Sequence, residues 1–245
     1  MKATDILPHL PSGIFDKASF INTVMSVSPD CSGTTIDWML HSLRTQGLLG
    51  SAGAGRYYLE SDATAGRKKY SFPHSPEYLE IENKISGTYP HISFQMWELI
   101  QMNDFVNHLI AKNVIFIEVE GMLVDTVFEL LHKDYPYAMV QPDTETFFRQ
   151  RAPETDIVVQ KLLSEAPSPD DRHSCKIEKL IVDLFSKRLS GRLIERSEYR
   201  RIVEDVFHKY NINETRMFRY ARRRNLYDEI VSFLTKQTDV KLLTI

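Results

Sequence analysis

This sequence of 245 residues has only two cysteines, no long apolar run and no excess of positive charge. Its two cysteines, Cys31 and Cys175, lie far apart and form no Cys-x-x-Cys pair, which argues against a disulfide framework or a zinc site. The apolar runs are too short to span a bilayer, and MKATDILPHL lacks the apolar core of a secretion signal. We therefore expect a cytoplasmic protein with no membrane partner. Because the net charge is −3, any nucleic-acid contact must depend on a local surface.

The most informative pattern lies in residues 34–60 and begins with an amphipathic helix. Apolar side chains recur at three- and four-residue spacing from Ile36 to Leu43, which predicts one buried helical face. Thr34 or Thr35 is predicted to cap the start of this helix, and Gly47 is placed to end it.

A glycine-rich hairpin is predicted directly after this helix. Residues 48–59 have the composition of two short strands, and Gly53 and Gly55 permit the tight turn between them. Upstream, residues 20–27 have the apolar spacing of a first helix, and SPDCSG at 28–33 favours a turn. Helix, turn, helix and hairpin follow one another in the order of a winged helix-turn-helix.

The polar face of the second helix carries the candidate DNA contacts, because that helix enters the major groove in this motif. Hydroxyl groups at a helix start suit phosphate, and an arginine in the wing can reach the DNA backbone or the minor groove. The predicted DNA-binding residues are Thr34, Thr35, Trp38, His41, Arg44 and Arg56. Residues 1–60 carry four Lys/Arg against five Asp/Glu, a weak balance for a DNA reader. A winged helix that docks only on protein is therefore the first alternative.

The pattern changes after a polar segment that contains glycine and two prolines. We place a winged-helix domain at residues 1–62, a linker at 63–76 and a second domain at 77–245. The predicted strands of the second domain are at 92–97, 114–120, 137–141 and 157–163, alternating with predicted helices at 99–113, 122–135 and 143–150. The predicted fold class is α/β (α+β): an N-terminal winged helix-turn-helix followed by an α/β sandwich domain with a helical C-terminal tail.

Several segments together resemble one known family. They are GLLGSAGAGRYYL in the predicted wing, IFIEVEG, VVQKLLSEAP and IEKLIVDLF in the second domain, and FRYARRRN near the end. In this order they are similar to AbiEi-type antitoxins and transcriptional regulators of bacterial type IV toxin–antitoxin systems, over nearly the whole chain. The resemblance implies an N-terminal domain that binds operator DNA and represses its own operon. It also implies a C-terminal domain that counteracts a nucleotidyltransferase-like toxin, without requiring direct contact with it.

The second domain also holds residue types that metal-dependent nucleases use, since clustered carboxylates with a lysine can bind metal and activate water. They are Glu118 and Glu120 on one predicted strand, Lys161 and Glu165 along another strand and its exit, and Glu178, Lys179 and Asp183 at a helix start. The D/E-x-K triad of a PD-(D/E)xK nuclease is incomplete, so we predict no catalytic residue, no metal and no cofactor. A divergent nuclease of this type is the second alternative. In the simpler interpretation, Glu118 and Glu120 face solvent or pair with arginines.

The C-terminal tail is distinctly basic. From Arg192 to Arg224, ten Lys/Arg oppose five Asp/Glu, and Arg216, Arg219 and Arg223 share one predicted helical face. This face either binds a partner or nucleic acid, or consists of arginines that are solvated or paired with the domain's own acids.

Overall fold

The computed structural model describes residues 2–60, 66–169 and 171–244, which form a mixed α/β protein with two separate β-sheets. The chain divides into two compact units. The first consists of Met1–Lys69, His208–Thr215 and Lys241–Ile245, and the second of Tyr70–Phe207 and Arg216–Val240. Residues 63–65 of the predicted linker lie outside the described residues. No described helix is long and apolar enough to cross a lipid bilayer.

The first unit is built from two helices and a small antiparallel sheet. A 3-10 helix at Ala3–His9 precedes strand β1 (Ile14–Asp16), helices α1 (Lys17–Val27) and α2 (Gly33–Thr45), and strands β2 (Leu49–Gly53) and β3 (Arg56–Leu59). The strand order is β1-β3-β2, with both pairings antiparallel. The core joins apolar side chains of all these elements, including Phe20 and Val24 of α1 and Leu43 of α2. Two helices, a turn and a hairpin thus follow one another in the predicted order.

The ends of α2 are set by short-range hydrogen bonds and backbone conformation. The cap is Ser32, whose hydroxyl accepts a hydrogen bond from the Thr35 amide at 3.3 Å, so the prediction that Thr34 or Thr35 caps the helix is wrong. Ser32 is the residue that keeps extended backbone angles, whereas both threonines already lie inside the first turn. At the other end Gly47 has φ +70°, a left-handed conformation that ends the helix at the predicted place.

Two segments from the C-terminal part of the chain complete the first unit. The Lys68 amide donates to the Lys209 carbonyl and the Asn211 amide donates to the Lys68 carbonyl, both at 2.9 Å. The buried Glu214 carboxylate accepts the backbone amides of Leu243 and Thr244, both at 2.9 Å. The sequence analysis placed residues 208–215 and 241–245 in the second domain, whereas they belong to the first unit. Nothing in their local sequence indicates where they pack.

The second unit surrounds a mixed four-stranded sheet. Its strands are β4 (Phe94–Glu98), β5 (Val114–Val119), β6 (Met139–Val140) and β7 (Asp156–Lys161), in the order β4-β5-β7-β6. The β4–β5 pairing is antiparallel, and β7 pairs in parallel with both β5 and β6. From residue 70 onward the α-helices are α3 (Pro76–Thr88), α4 (Val124–His132), α5 (Thr144–Arg149), α6 (Ile177–Leu184), α7 (Tyr199–Lys209), α8 (Glu214–Arg223) and α9 (Tyr227–Gln237).

Strand β5 is buried along its whole length, so both of its faces carry core side chains. On one face Ile115 and Ile117 join the cluster formed with α3 and α4. The alternate residues, Phe116 and Glu118, point to the opposite face, where Glu118 meets Lys179 of α6. Helices cover both faces of the sheet, which explains why this strand lacks the alternation of apolar and polar residues found in a half-exposed strand.

One predicted helix of the second unit does not form. Residues 99–113 contain only a 3-10 helix at Leu99–Asp104, and the remainder is not helical. The amide group of Asn103 closes a loop instead: its Nδ2 donates to the Ile110 carbonyl at 3.1 Å and its Oδ1 accepts the Ile110 amide at 2.7 Å. Asparagine side chains compete in this way with helical backbone bonds. By contrast, the helix predicted at 143–150 forms, and Asp143 caps α5 by accepting the Thr146 amide at 2.7 Å.

Candidate nucleic-acid interface

Helix α2 buries one face and exposes the other. Ile36, Met39, Leu40 and Leu43 are buried in the core of the first unit. Thr34, Trp38, His41 and Thr45 lie opposite them at intervals of three and four residues, and all four are exposed. We call these four residues the α2 stripe. The burial of the inner face therefore fixes which side chains α2 presents outward.

Trp38 is the unusual member of the α2 stripe, because 57% of this large aromatic residue is exposed. Scattered exposed apolar residues are ordinary, but an indole in the middle of a polar helical stripe is available for stacking or for apolar contact. Beside it, the Thr45 hydroxyl donates to the His41 carbonyl at 3.0 Å. The same hydroxyl lies 3.5 Å from Nε2 of the imidazole of His41, which is exposed.

Charged groups flank the α2 stripe. Arg44 is exposed, and its guanidinium carbon lies 5.8 Å from the centre of the Tyr57 ring, which anchors the side chain over the sheet. Asp37 is the acid of this surface, and its carboxylate pairs with the ammonium of Lys17 at 2.8 Å. The pairing offsets the one negative charge that α2 would otherwise bring to an anionic ligand.

The β2–β3 hairpin supplies the last predicted contact, Arg56, which is exposed at the start of β3. Gly53 and Gly55 have φ +78° and +72°, so both glycines adopt the positive angles that the predicted turn requires. Gly50 has a separate role that its neighbours in the sequence do not indicate. A Cβ at this position would lie 2.1 Å from Cζ of Tyr58, so the tyrosine ring packs directly on the glycine backbone.

All six predicted DNA-binding residues therefore lie exposed on α2 or the hairpin of the first unit. By sequence this unit carries nine Lys/Arg against seven Asp/Glu, whereas the second unit carries 21 against 26. The first unit is thus the more suitable of the two for a polyanion. The pairing of Lys68 with residues 209 and 211 also holds part of the basic run 67–69 within it.

The predicted basic face of the C-terminal tail is divided among internal partners. Arg219 pairs with Glu165, Nε to Oε2, at 3.1 Å, and a nitrogen of Arg216 lies 3.7 Å from the Glu178 carboxylate. The Nε of Arg223 donates to the Ser164 hydroxyl at 2.6 Å. Two of the three arginines thus meet acids of their own unit, which agrees with the alternative that these arginines pair with the domain's own acids.

Three of the residues considered for nuclease chemistry, Glu118, Lys179 and Asp183, meet inside the second unit as a closed network. The others do not join them, and Glu120, Lys161 and Glu165 are exposed. The ammonium of Lys179 lies 2.8 Å from Oε1 of Glu118 and 2.6 Å from Oδ2 of Asp183. The Tyr220 hydroxyl donates to Asp183 at 3.0 Å, and the guanidinium of Arg224 donates to the same carboxylate. We call these five residues the buried charge network. The expectation that Glu118 faces solvent or pairs with arginine is wrong, because it faces α6 and meets a buried lysine.

Two cations and two carboxylates balance in the buried charge network, which explains how it tolerates burial. Burial by itself lowers the pKa of Lys179, but Asp183 and Glu118 outweigh burial and hold that pKa well above its ordinary value. The side chain of Lys179 is fully buried, so its ammonium is shielded from solvent. In the part of the chain that the structure describes, no group of three or more His, Cys, Asp or Glu side chains could hold a metal ion. The network is therefore suited to hold β5, α6 and α8 together.

The sequence made Lys179 a candidate but could not place it at the centre of this network. The available signal was a lysine among apolar residues of α6, four positions before an aspartate. That spacing predicts only an ordinary helical ion pair, because the third partner, Glu118, is contributed by a strand far away in the sequence.

Comparison with known proteins gives one family assignment. A search of curated proteins gave no match. Residues 35–240, which include most of α2, the hairpin and the whole second unit, match the model of a family described as of unknown function, DUF6577. The chain therefore belongs to the DUF6577 family of unknown function.

Proposed function

We propose that this protein is a DNA-binding transcriptional regulator of the bacterial cytoplasm, and that its first unit is a winged helix-turn-helix. In this proposal α2 enters the major groove of operator DNA and the β2–β3 hairpin contacts the backbone. The observation that carries the proposal is the α2 stripe, which projects polar and aromatic side chains from a helix whose other face is buried.

The geometry of α2 supports base and phosphate contacts by different residues. Trp38 and His41 lie on the α2 stripe, where they face the floor of a groove that accepts a helix. Thr34 lies in the first turn of α2, where exposed backbone amides and a hydroxyl suit phosphate. Arg44 on α2 and Arg56 at the start of β3 are both exposed and would neutralise phosphates of the DNA backbone.

The antitoxin role is a second step of the proposal and depends on the resemblance to AbiEi-type antitoxins. In that role the protein represses its own operon and counteracts a nucleotidyltransferase-like toxin, and direct contact between the two is not required. Co-expression with the product of an adjacent nucleotidyltransferase-like gene tests this step. Restored growth supports the antitoxin role, and continued toxicity at matched protein levels contradicts it while leaving DNA binding untouched.

Docking on a protein is the second candidate for the first unit, and the exposure of Trp38 specifically favours it. Aromatic residues are enriched in the centres of protein interfaces, and the first unit has only a small positive charge. The nuclease alternative is disfavoured because Glu118 and Lys179 are enclosed in the buried charge network. Incubation of supercoiled DNA with Mg²⁺ or Mn²⁺ should leave the DNA intact, and cleavage lost in Glu118→Ala would revive that alternative.

Binding of the full-length protein to labelled duplexes from its own upstream region, followed by fluorescence anisotropy, tests the DNA proposal. We expect saturable binding that weakens as salt rises, because each neutralised phosphate releases counterions. In a Trp97→Phe background Trp38 is the one remaining tryptophan, and its emission should change on binding if the α2 stripe meets DNA.

The matched control for charge is Lys133→Ala/Arg201→Ala, which removes two exposed cations of the second unit. Arg44→Ala/Arg56→Ala should weaken DNA binding far more than this control. If no upstream duplex binds at low salt, or if both double variants weaken binding equally, the DNA proposal fails and protein docking is favoured.

A further inference from the structure

A concave basic pocket of about 680 Å³ opens on the second unit beside the end of β7. Its lining residues are Glu120, Gly121, Lys161, Leu162, Leu163, Ser164, Arg188, Arg223 and Arg224. Four of these side chains are cationic and one is acidic. The volume falls within the range of pockets that hold small organic ligands.

The buried charge network holds one wall of the pocket in place, because Arg224 belongs to both. The Arg224 side chain is only 11% exposed, and its guanidinium bonds to both Asp183 and the Tyr220 hydroxyl, the latter at 2.9 Å. These bonds fix a guanidinium at the pocket wall, so its orientation does not depend on a ligand. Such preorganisation lowers the entropic cost of binding.

The other cations are also held in place. Arg188 donates to the Lys161 carbonyl at 3.1 Å, and Arg223 donates to the Ser164 hydroxyl. The Lys161 side chain passes over Gly121, where a Cβ would lie 3.1 Å from its Cε. Among the side chains that the structure describes, no acid forms an ion pair with Lys161, Arg188 or Arg223. Three cations without an ion-pair partner among the described side chains therefore converge on one concavity with a single lining carboxylate, Glu120.

We infer that this pocket binds the phosphate groups of a small phosphorylated ligand of nucleotide size. Arginine and lysine side chains recognise phosphate by charge-assisted hydrogen bonds, and Ser164 adds a hydroxyl. The half-exposed Leu162 and Leu163 provide an apolar wall for the organic part of the ligand.

The charge of the surroundings favours a small ligand over an extended nucleic acid. The second unit carries 21 Lys/Arg against 26 Asp/Glu, so its surface as a whole repels a polyanion outside this pocket. Nearby, Arg219 is already paired with Glu165, which removes one cation that a longer strand would need. A local pocket of positive charge in an acidic unit fits one or two phosphate groups.

Isothermal titration of the full-length protein with inorganic pyrophosphate, ADP and adenosine tests this inference. We expect pyrophosphate and ADP to bind with one-site stoichiometry, and adenosine, which lacks phosphate, to bind far more weakly. Tighter binding of ADP than of pyrophosphate would assign the leucine wall to the base and ribose. Equal binding of both would assign the site to the phosphates alone, and either result supports the pocket.

The test variant is Lys161→Ala/Arg223→Ala, since both side chains are exposed and their removal leaves the buried charge network intact. Its affinity for ADP should fall by about tenfold or more, because two cations no longer form charge-assisted hydrogen bonds with phosphate. The control Lys133→Ala/Arg201→Ala removes the same charge from residues that do not line the pocket and should bind like the wild type. Absence of saturable phosphate binding, an equal loss in both variants, or much tighter binding of a short single-stranded RNA to the same residues overturns the inference. The DNA proposal is unaffected by each result, because it concerns the first unit.

Discussion

Lys179 and Asp183 of α6 form an ion pair inside the second unit, with Nζ and Oδ2 separated by 2.6 Å. They lie one helical turn apart, a spacing usually found on exposed helix surfaces, where such a pair contributes little to stability. Here the ammonium is fully buried and is shared with Glu118 of β5. Removing the charge of Lys179 or Asp183 would therefore leave the other as a buried charge without its compensating partner.

Asp183→Asn should lower the free energy of unfolding of the second unit by about 3–5 kcal/mol, the usual cost of breaking a buried pair. The measurement is urea unfolding followed by Trp97, which is buried and stacked on Phe116 with ring centres 4.4 Å apart, in a Trp38→Phe background. The matched control is Glu165→Gln, which breaks the exposed pair with Arg219. It should cost about 1 kcal/mol or less, and equal losses in the two variants would contradict the prediction.

The contribution of Asp183 to stability should depend on pH in the acid range. Burial raises the pKa of its carboxyl, but Lys179 and Arg224 outweigh burial and hold the pKa below its ordinary value of 3.8. A carboxyl with a lowered pKa stabilises the fold above its unfolded pKa and loses that effect as the pH falls through its folded pKa. Because the pKa of Lys179 is raised, the contribution of Lys179 to stability is fully present below the pKa of an unfolded lysine and changes only at alkaline pH.

The difference in unfolding free energy between wild type and Asp183→Asn should thus stay constant from about pH 5 to pH 9 and shrink below about pH 4. Urea unfolding at a series of pH values, again followed by Trp97, measures this difference. A difference that stays unchanged down to pH 3, about one unit below the ordinary pKa of aspartate, would show that Asp183 acts through packing alone.

Gly50→Ala should destabilise the first unit by about 1–3 kcal/mol, the range for overpacking a core. The added methyl group would occupy the space of the Tyr58 ring, which is itself buried. The control is Gly33→Ala in the first turn of α2, where a Cβ meets nothing within 4 Å. Thermal unfolding followed by Trp38 fluorescence compares the two, and an equally stable Gly50→Ala protein would sink the prediction.

Substitutions on α2 and in the hairpin should separate affinity from sequence preference. Arg44→Ala/Arg56→Ala should weaken binding to all duplexes. It should also reduce the slope of log affinity against log salt concentration by about one for each phosphate that is no longer neutralised. Thr35→Ala or His41→Ala should instead change the ranking of duplexes that differ by single base pairs. A panel of mutated operator duplexes in competition assays measures both effects. A uniform loss in every variant would show that α2 does not contact base edges.

Features that depend on neighbours along the chain could be predicted from the sequence. The spacing from Ile36 to Leu43 set the buried face of α2 and therefore the exposed α2 stripe, while Gly47, Gly53 and Gly55 marked backbone turns that few other residues adopt. The strands at 114–119 and 156–161 were also visible, because apolar runs of that length between turns form buried strands.

Contacts that join distant segments could not be predicted from the sequence and became visible in the folded chain. No local pattern brings Glu118 to Lys179, His208–Thr215 and Lys241–Ile245 to the first unit, or Ser164 to Arg223. The helix expected at 99–113 was replaced by the bonds between Asn103 and Ile110, since side-chain bonds outweighed weak helical preference. Periodicity determines which side of an element is buried, but which groups meet there depends on the packing of the whole chain. For that reason the buried charge network and the basic pocket above it emerged from the tertiary structure alone.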